Sequence, residues 1–180
     1  MKKQQKYFYK LTDQEGYTRR GETNETKWGR EVTHTASGQG KFLCSAGLIH
    51  FYQHPLIAAL RNCQDAQIKD PVLWRCSVAG NVLLAPLKGG AKTVTTICKI
   101  KLPVFTKKQR VAFAILCVLE VYKEKGFVTW AENWLLNKDR SATATAKAAK
   151  AADYAARAAD YASAKPINFV SLAKKALTYQ

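Results

Sequence analysis

The chain has 180 residues, 47% of them hydrophobic and 11% aromatic, which is enough apolar material for a folded core and excludes a wholly disordered protein. With 29 lysines and arginines against 13 acidic residues its formal net charge is +16, so nucleic acid, a nucleotide, an anionic membrane or an acidic protein could answer the charge; solvated lysines with no partner are the bland alternative. No apolar run has the length of a membrane span, and the longest, Val111 to Leu119, reads as a core helix, so no membrane partner is expected.

Tyr7 to Leu11 is aromatic and strand-like, and Thr12 to Gly16 supplies turn residues after it. Residues 16–41 read as a long loop or a pair of short hairpins anchored by Trp28. Leu48 to Tyr52 reads as a strand, and Pro55 then opens a short helix whose apolar face is Leu56 to Leu60. Val72 to Ala79 alternates, with Val72, Trp74, Cys76 and Val78 on one face. Lys88-Gly89-Gly90-Ala91-Lys92 resembles a phosphate-cradling loop but lacks the spacing and Ser/Thr of a P-loop, so a strand-to-strand turn is expected. Lys92 to Leu102 alternates again. Period 2 sets Arg75, Lys99 and Lys101 on outer faces, where they would converge if the two strands pair.

The remainder reads as helical. Thr106 to Gln109 and Thr129 to Glu132 both fit the capping box; the first opens Val111 to Tyr122, the second a helix carrying Trp130 and Trp134 four apart. Residues 141–165 form an alanine-rich, heptad-like repeat that Pro166 ends, a surface through which a homo-oligomer could form. Asn168 to Leu177 is amphipathic, with Phe169, Leu172 and Ala176 on one side. The expected fold class is α+β: a sheet domain over 1–103 with a small mixed or antiparallel sheet, and a helical region over 104–180 packed on it.

Cys44, Cys63, Cys76, Cys98 and Cys117 contain no C-x-x-C pair and mostly lie in apolar segments, so buried reduced thiols are expected; with no signal-peptide pattern at the start, so is a cytoplasmic location. His50 and His54 have H-x-x-x-H spacing, but a strand and a helix start separate them, which disfavours zinc. Cys44 lies near these histidines without an orienting acid, so a core thiol is expected over a Cys–His nucleophile. No metal or cofactor is indicated.

The strongest functional signal is one of charge. Between Asp70 and Glu120 no acidic residue occurs, while Arg75, Lys88, Lys92, Lys99, Lys101, Lys107, Lys108 and Arg110 do. On strand faces and at a helix start these residues form a basic face suited to an anionic ligand, nucleic acid or nucleotide. Tyr7, Tyr9, Tyr17 and Trp28 are candidates for stacking on bases, with core or loop anchoring equally expected.

Trp28-Gly29, Leu43-Cys44-Ser45, Ile49 to Tyr52, Pro55-Leu56, the Leu116 to Tyr122 helix and Trp130 to Leu135 running into Asp139-Arg140-Ser141 and the alanine repeat together resemble an uncharacterised family of bacteriophage and prophage proteins. The resemblance implies a small phage accessory protein in a bacterial cytoplasm and brings no reaction with it. Gly47 to Tyr52 with Pro55, followed by Leu73 to Gly80, is similar in order and pattern to the central strands of the ADP-ribosyltransferase family, which acts on NAD. That likeness implies roles for Tyr9-Lys10 and Ser45, but the position of the catalytic Glu falls in the acid-free stretch and is empty, which favours binding over transfer. The expectation is a host-takeover or counter-defence protein that binds a phosphate-bearing ligand, with no catalytic residue assigned. The alternatives are an ADP-ribosyltransferase-like enzyme and a protein-binding or virion-associated part engaging a host protein.

Overall fold

The computed structural model describes residues 7–141 and 167–180. The chain divides into two compact units, Met1–Val104 and Phe105–Gln180. The described strands and one short helix lie in the first and the other described helices in the second, an α+β protein with an antiparallel sheet at its N-terminal side. The alanine repeat, beyond Ser141, lies outside the described residues.

The first unit is organised around a long hairpin of β6 (Val72–Leu84) and β7 (Gly89–Ile100). β1 (Phe8–Thr12) pairs with the free edge of β6. The free edge of β7 is shared: β5 (Ile49–Phe51) pairs at Gly89 to Ala91, and β4 (Thr33–Thr35) at Thr93 to Thr95. Tyr52, directly after β5, exchanges backbone hydrogen bonds of 2.8 and 2.7 Å with Tyr9 on the outer edge of β1. The strands therefore close into a ring, β1–β6–β7–β5–β1.

Phe8, Trp28, Phe51, Cys76, Ala91 and Val94 fill this ring, with Ile49, Val78 and Val82 packed against them. Phe8 and Phe51 meet edge to face at 4.6 Å. Two buried polar groups are satisfied inside: Trp74 Nε1 donates to Thr12 Oγ1 at 3.0 Å, and Thr96 Oγ1 lies 2.6 Å from the Gly29 carbonyl. Bonds of this kind contribute about 1 kcal/mol each, and leaving their groups unpaired would cost more.

Gly89 and Gly90 belong to β7, not to a turn. A Cβ on Gly89 would collide with the Phe51 ring, and one on Gly90 would stand 3.0 Å from Leu43, so these glycines admit large neighbours against the strand. The turn falls earlier, where Ala85 N–H donates to the Lys88 carbonyl at 2.9 Å.

The segment after β1 turns as its residues dictate. Asp13 Oδ1 accepts from the amides of Glu15 and Tyr17, and Gly16 takes a φ of +90°. A short hairpin of β2 (Tyr17–Thr18) and β3 (Thr26–Lys27) follows, and it delivers Trp28 to the core at 3% exposure. Helix α1 (Pro55–Arg61) starts at Pro55, capped by His54, whose Nδ1 accepts from Leu56 N–H at 3.2 Å.

In the second unit the capping box at Thr106 and Gln109 forms in full and opens α2 (Lys107–Val121), whose middle from Val111 to Val118 is buried except at Ala114. Helix α3 (Lys125–Leu135) begins a full turn before the expected Thr129, because the Glu124 carboxylate accepts from Gly126 and Phe127 N–H at 2.6 and 2.7 Å. A charged cap at the positive end of a helix outcompetes a neutral threonine further along. Trp134 is buried, whereas Trp130 is half-exposed beside Phe127. Helix α4 (Phe169–Ala176) buries Phe169, Ala173 and Ala176 and packs on α2.

Candidate functional site

The structure separates the cations into those that meet carboxylates and those that do not. Arg20 forks onto Glu15 at 2.8 and 2.6 Å and lies 3.5 Å from Asp13, Arg19 approaches Glu22 at 3.9 Å, and Arg61 grips Asp65 at 3.2 and 2.9 Å. Among the described residues, no carboxylate lies within ion-pair distance of Arg75, Lys88, Lys92, Lys99, Lys101, Lys107 or Lys108.

β6 and β7 do pair, yet Arg75 and Lys99 do not converge. Arg75 stands opposite Cys98 and Tyr9, whereas Lys99 stands opposite Trp74. Directly opposed residues share a face and neighbours along a strand alternate, so the two cations occupy opposite faces. A register shift between Arg75 and Cys76 inserts an extra β7 residue and carries Lys99 to the side of Trp74 and Thr96. Strict alternation along β7 could not reveal it. On one face the Lys99 ammonium lies over the Trp74 ring at 5.3 Å; on the other the Arg75 guanidinium lies over Tyr7 at 4.6 Å, its Nε buried without a hydrogen-bond partner.

Lys101 is exposed just beyond the end of β7, and Lys92 is half-buried beside Gly80, which takes a φ of +76° at the second register shift. Lys88, at the hairpin end, directs Nζ to Cys44 Sγ at 3.4 Å. Cys44 and Cys63 are exposed, against the expectation of core thiols; Cys76 and Cys117 are buried and Cys98 half-buried. Apolar flanks mark a segment as packed without saying which of its side chains points inward.

The aromatic residues singled out for stacking are largely occupied. Trp28 is core, donating Nε1–H to Thr18 Oγ1 at 3.0 Å with His34 edge-on at 4.6 Å. Tyr17 is half-buried with Arg20 and Lys27 both about its ring, at 5.0 and 4.9 Å. Tyr9 is half-buried on the face of β1 opposite to Phe8 and Lys10, the side on which Arg75 stands.

Besides the paired Arg61, Lys10 is a buried cation. It is 8% exposed, stands over Trp28 at 4.6 Å and donates to the His50 carbonyl at 3.1 Å. Loss of hydration pushes its amine down to about 8, with Arg19 adding to the shift and Cys76 opposing it. Burial likewise holds His50 below the ordinary imidazole range; its Nε2 meets the Leu43 carbonyl, and Lys88 and Lys10 disfavour its charged form further. His50 and His54 are each committed to backbone groups, and Ser45 lies in a turn before β5.

In the second unit Lys107 and Lys108 are exposed in the first turn of α2, which has no acidic residue. Cations there oppose the helix dipole, so an anion would be welcome. Gln109 Nε2 donates to the Leu177 carbonyl at 3.0 Å, setting this turn beside the end of α4, where Lys174 and Lys175 are exposed. These two lysines were missed in the sequence because about 65 residues separate them from α2; only helix packing unites them. Compared with known protein families, curated proteins and solved structures, the chain matches none.

Proposed function

We propose that this protein binds a phosphate-bearing ligand, nucleic acid or nucleotide, through cations of both units. The observation that carries the reading is electrostatic: cations from Arg75 to Lys108 lack carboxylates within ion-pair distance among the described residues, while Arg19, Arg20 and Arg61 have them. Unquenched cations attract phosphate and concentrate it near the surface. The bound groups are Lys99 and Lys101 at the end of β7 and the Lys107, Lys108, Lys174 and Lys175 cluster, each site needing only its own unit. The resemblance to phage accessory proteins supports a role in host takeover or counter-defence.

Binding driven by counterion release weakens steeply with salt, by roughly a thousandfold between about 50 and 200 mM if some six phosphates are engaged. Fluorescence anisotropy with a labelled oligonucleotide across that range measures it. Charge reversal of Lys99 and Lys101 should flatten the salt slope, whereas reversal of Arg20 should not. Absence of binding to DNA, RNA and nucleotides at low salt overturns the reading, and release of nicotinamide from NAD would replace it with the transferase alternative.

A further inference from the structure

We propose that Phe42 is a base-stacking residue and that the ligand is a single-stranded nucleic acid, held at the tip of the 38–48 loop with Lys41 and Lys88 on its phosphates. The inference rests on the phosphate-binding reading and narrows it. Phe42 is 83% exposed, while most of the chain's other phenylalanines are buried. A phenylalanine ring has no polar group to reward its contact with water, so covering it is favourable.

The loop beneath the ring is fixed. A Cβ on Gly38 would collide with Ala46, one on Gly40 with Ser45 and one on Gly47 with the Gly40 carbonyl, so the two arms of the loop touch along their length. Ser45 N–H donates to the Phe42 carbonyl at 2.9 Å and closes a turn. Leu43 packs at Gly90 on β7, its carbonyl meets His50 Nε2, and Cys44 Sγ receives Lys88 Nζ. The backbone is therefore held on both sides of Phe42 while the ring remains in solvent. A ring presented in this way loses little freedom on binding.

The surroundings select the occupant. Residues 32–64 contain no Asp or Glu, Lys41, the residue before Phe42, is exposed, and Lys88 borders the loop from the hairpin. Apart from Leu43 and Leu48, which pack at Gly90, the remaining loop side chains are small or polar, with Gln39, Cys44 and Ser45 among them, which suits a base flanked by phosphates. Unstacked bases offer a free π-face to an aromatic ring, whereas a duplex hides its bases between neighbours.

Anisotropy with a labelled single strand, the matched duplex and fluorescent anionic phosphatidylglycerol vesicles tests this on wild type, Phe42→Ala, Phe42→Trp and Lys88→Gln. Phe42→Ala should bind the single strand roughly tenfold more weakly with duplex affinity and salt slope unchanged. Lys88→Gln should lower the single-strand salt slope by about 0.7. Phe42→Trp should keep the affinity and add indole emission that the oligonucleotide quenches. Thermal melts equal to wild type confirm that these surface changes leave the fold intact. If Phe42→Ala binds the single strand as tightly as wild type, the stacking role is wrong while phosphate binding stands. If Phe42→Ala loses only vesicle binding, the occupant is a lipid surface and the proposal falls. If wild type binds no nucleic acid at low salt, the broader reading falls with it.

Discussion

Arg20 and Lys99 both stand over an aromatic ring in the first unit, in opposite electrostatic surroundings. The stretch around Arg20, residues 13–31, contains four cations (Arg19, Arg20, Lys27, Arg30) and five anions (Asp13, Glu15, Glu22, Glu25, Glu31), and several of them are paired in space. Lys99 lies in a stretch with no acid. The excess of +16 is thus unevenly spread: one hairpin nearly neutralises itself, and the long β6–β7 hairpin keeps its charge. Net charge alone says that an anionic partner is plausible; the contrast says which surface offers its charge to one.

A second contrast lies among the paired groups and is the quickest to break. Arg61 and Asp65 face each other with side chains 9% and 16% exposed, whereas Arg20 and Glu15 stand at 53% and 63%. Asp65→Asn leaves a buried guanidinium short of its partner and should destabilise the first unit by about 3 kcal/mol, read by urea denaturation. Replacing both members, Arg61→Met with Asp65→Leu, should cost less than Asp65→Asn alone. Equal losses would show that the pair itself, rather than the unpaired charge, dominates.

Lys10 sharpens the contrast between buried and exposed cations through pH. Its amine titrates near 8 in the fold against an ordinary 10.5, so across that window the unfolded chain binds more protons and stability rises with pH. Cys76 acts in the opposite sense: burial pushes its thiol up to about 12 from an ordinary 9.0, so its contribution is lost as pH climbs above 9. Denaturation midpoints should therefore rise between pH 8 and 9, at no more than about 1.4 kcal/mol per pH unit, and then level off. The Lys10→Met variant should lose the rise. A flat profile in the wild type would mean that water reaches Lys10.

The smallest effect belongs to the exposed fork. Arg20 holds the Glu15 carboxyl below the usual carboxylate range, yet both groups are bathed in solvent and salt screens them. Glu15→Gln should leave the melting temperature almost unchanged in 150 mM salt. A marked loss would show that this pair holds the β2–β3 hairpin in place.

Local signals carried far in this chain. Thr106 and Gln109 announced α2, Pro55 announced α1, and the Thr12 to Gly16 turn formed where its residues required it, because each depends on groups within about four positions along the chain. Composition likewise marked the absence of acid from 71 to 119. One error was local: Glu124, bonded to amides two and three positions on, took the α3 cap from Thr129. The others came where distant groups compete, as where Gly89 and Gly90 served Phe51 and Leu43 rather than a turn. A bulge moved Lys99 across the sheet from Arg75, and close packing of α2 with α4 set the end of α4, which carries Lys174 and Lys175, beside the first turn of α2. Periodicity and capping propagate along the backbone and can be read from it. Register shifts, burial of a given ring or thiol, and the meeting of separate helices depend on which surfaces exclude water together, and only the tertiary structure decides that.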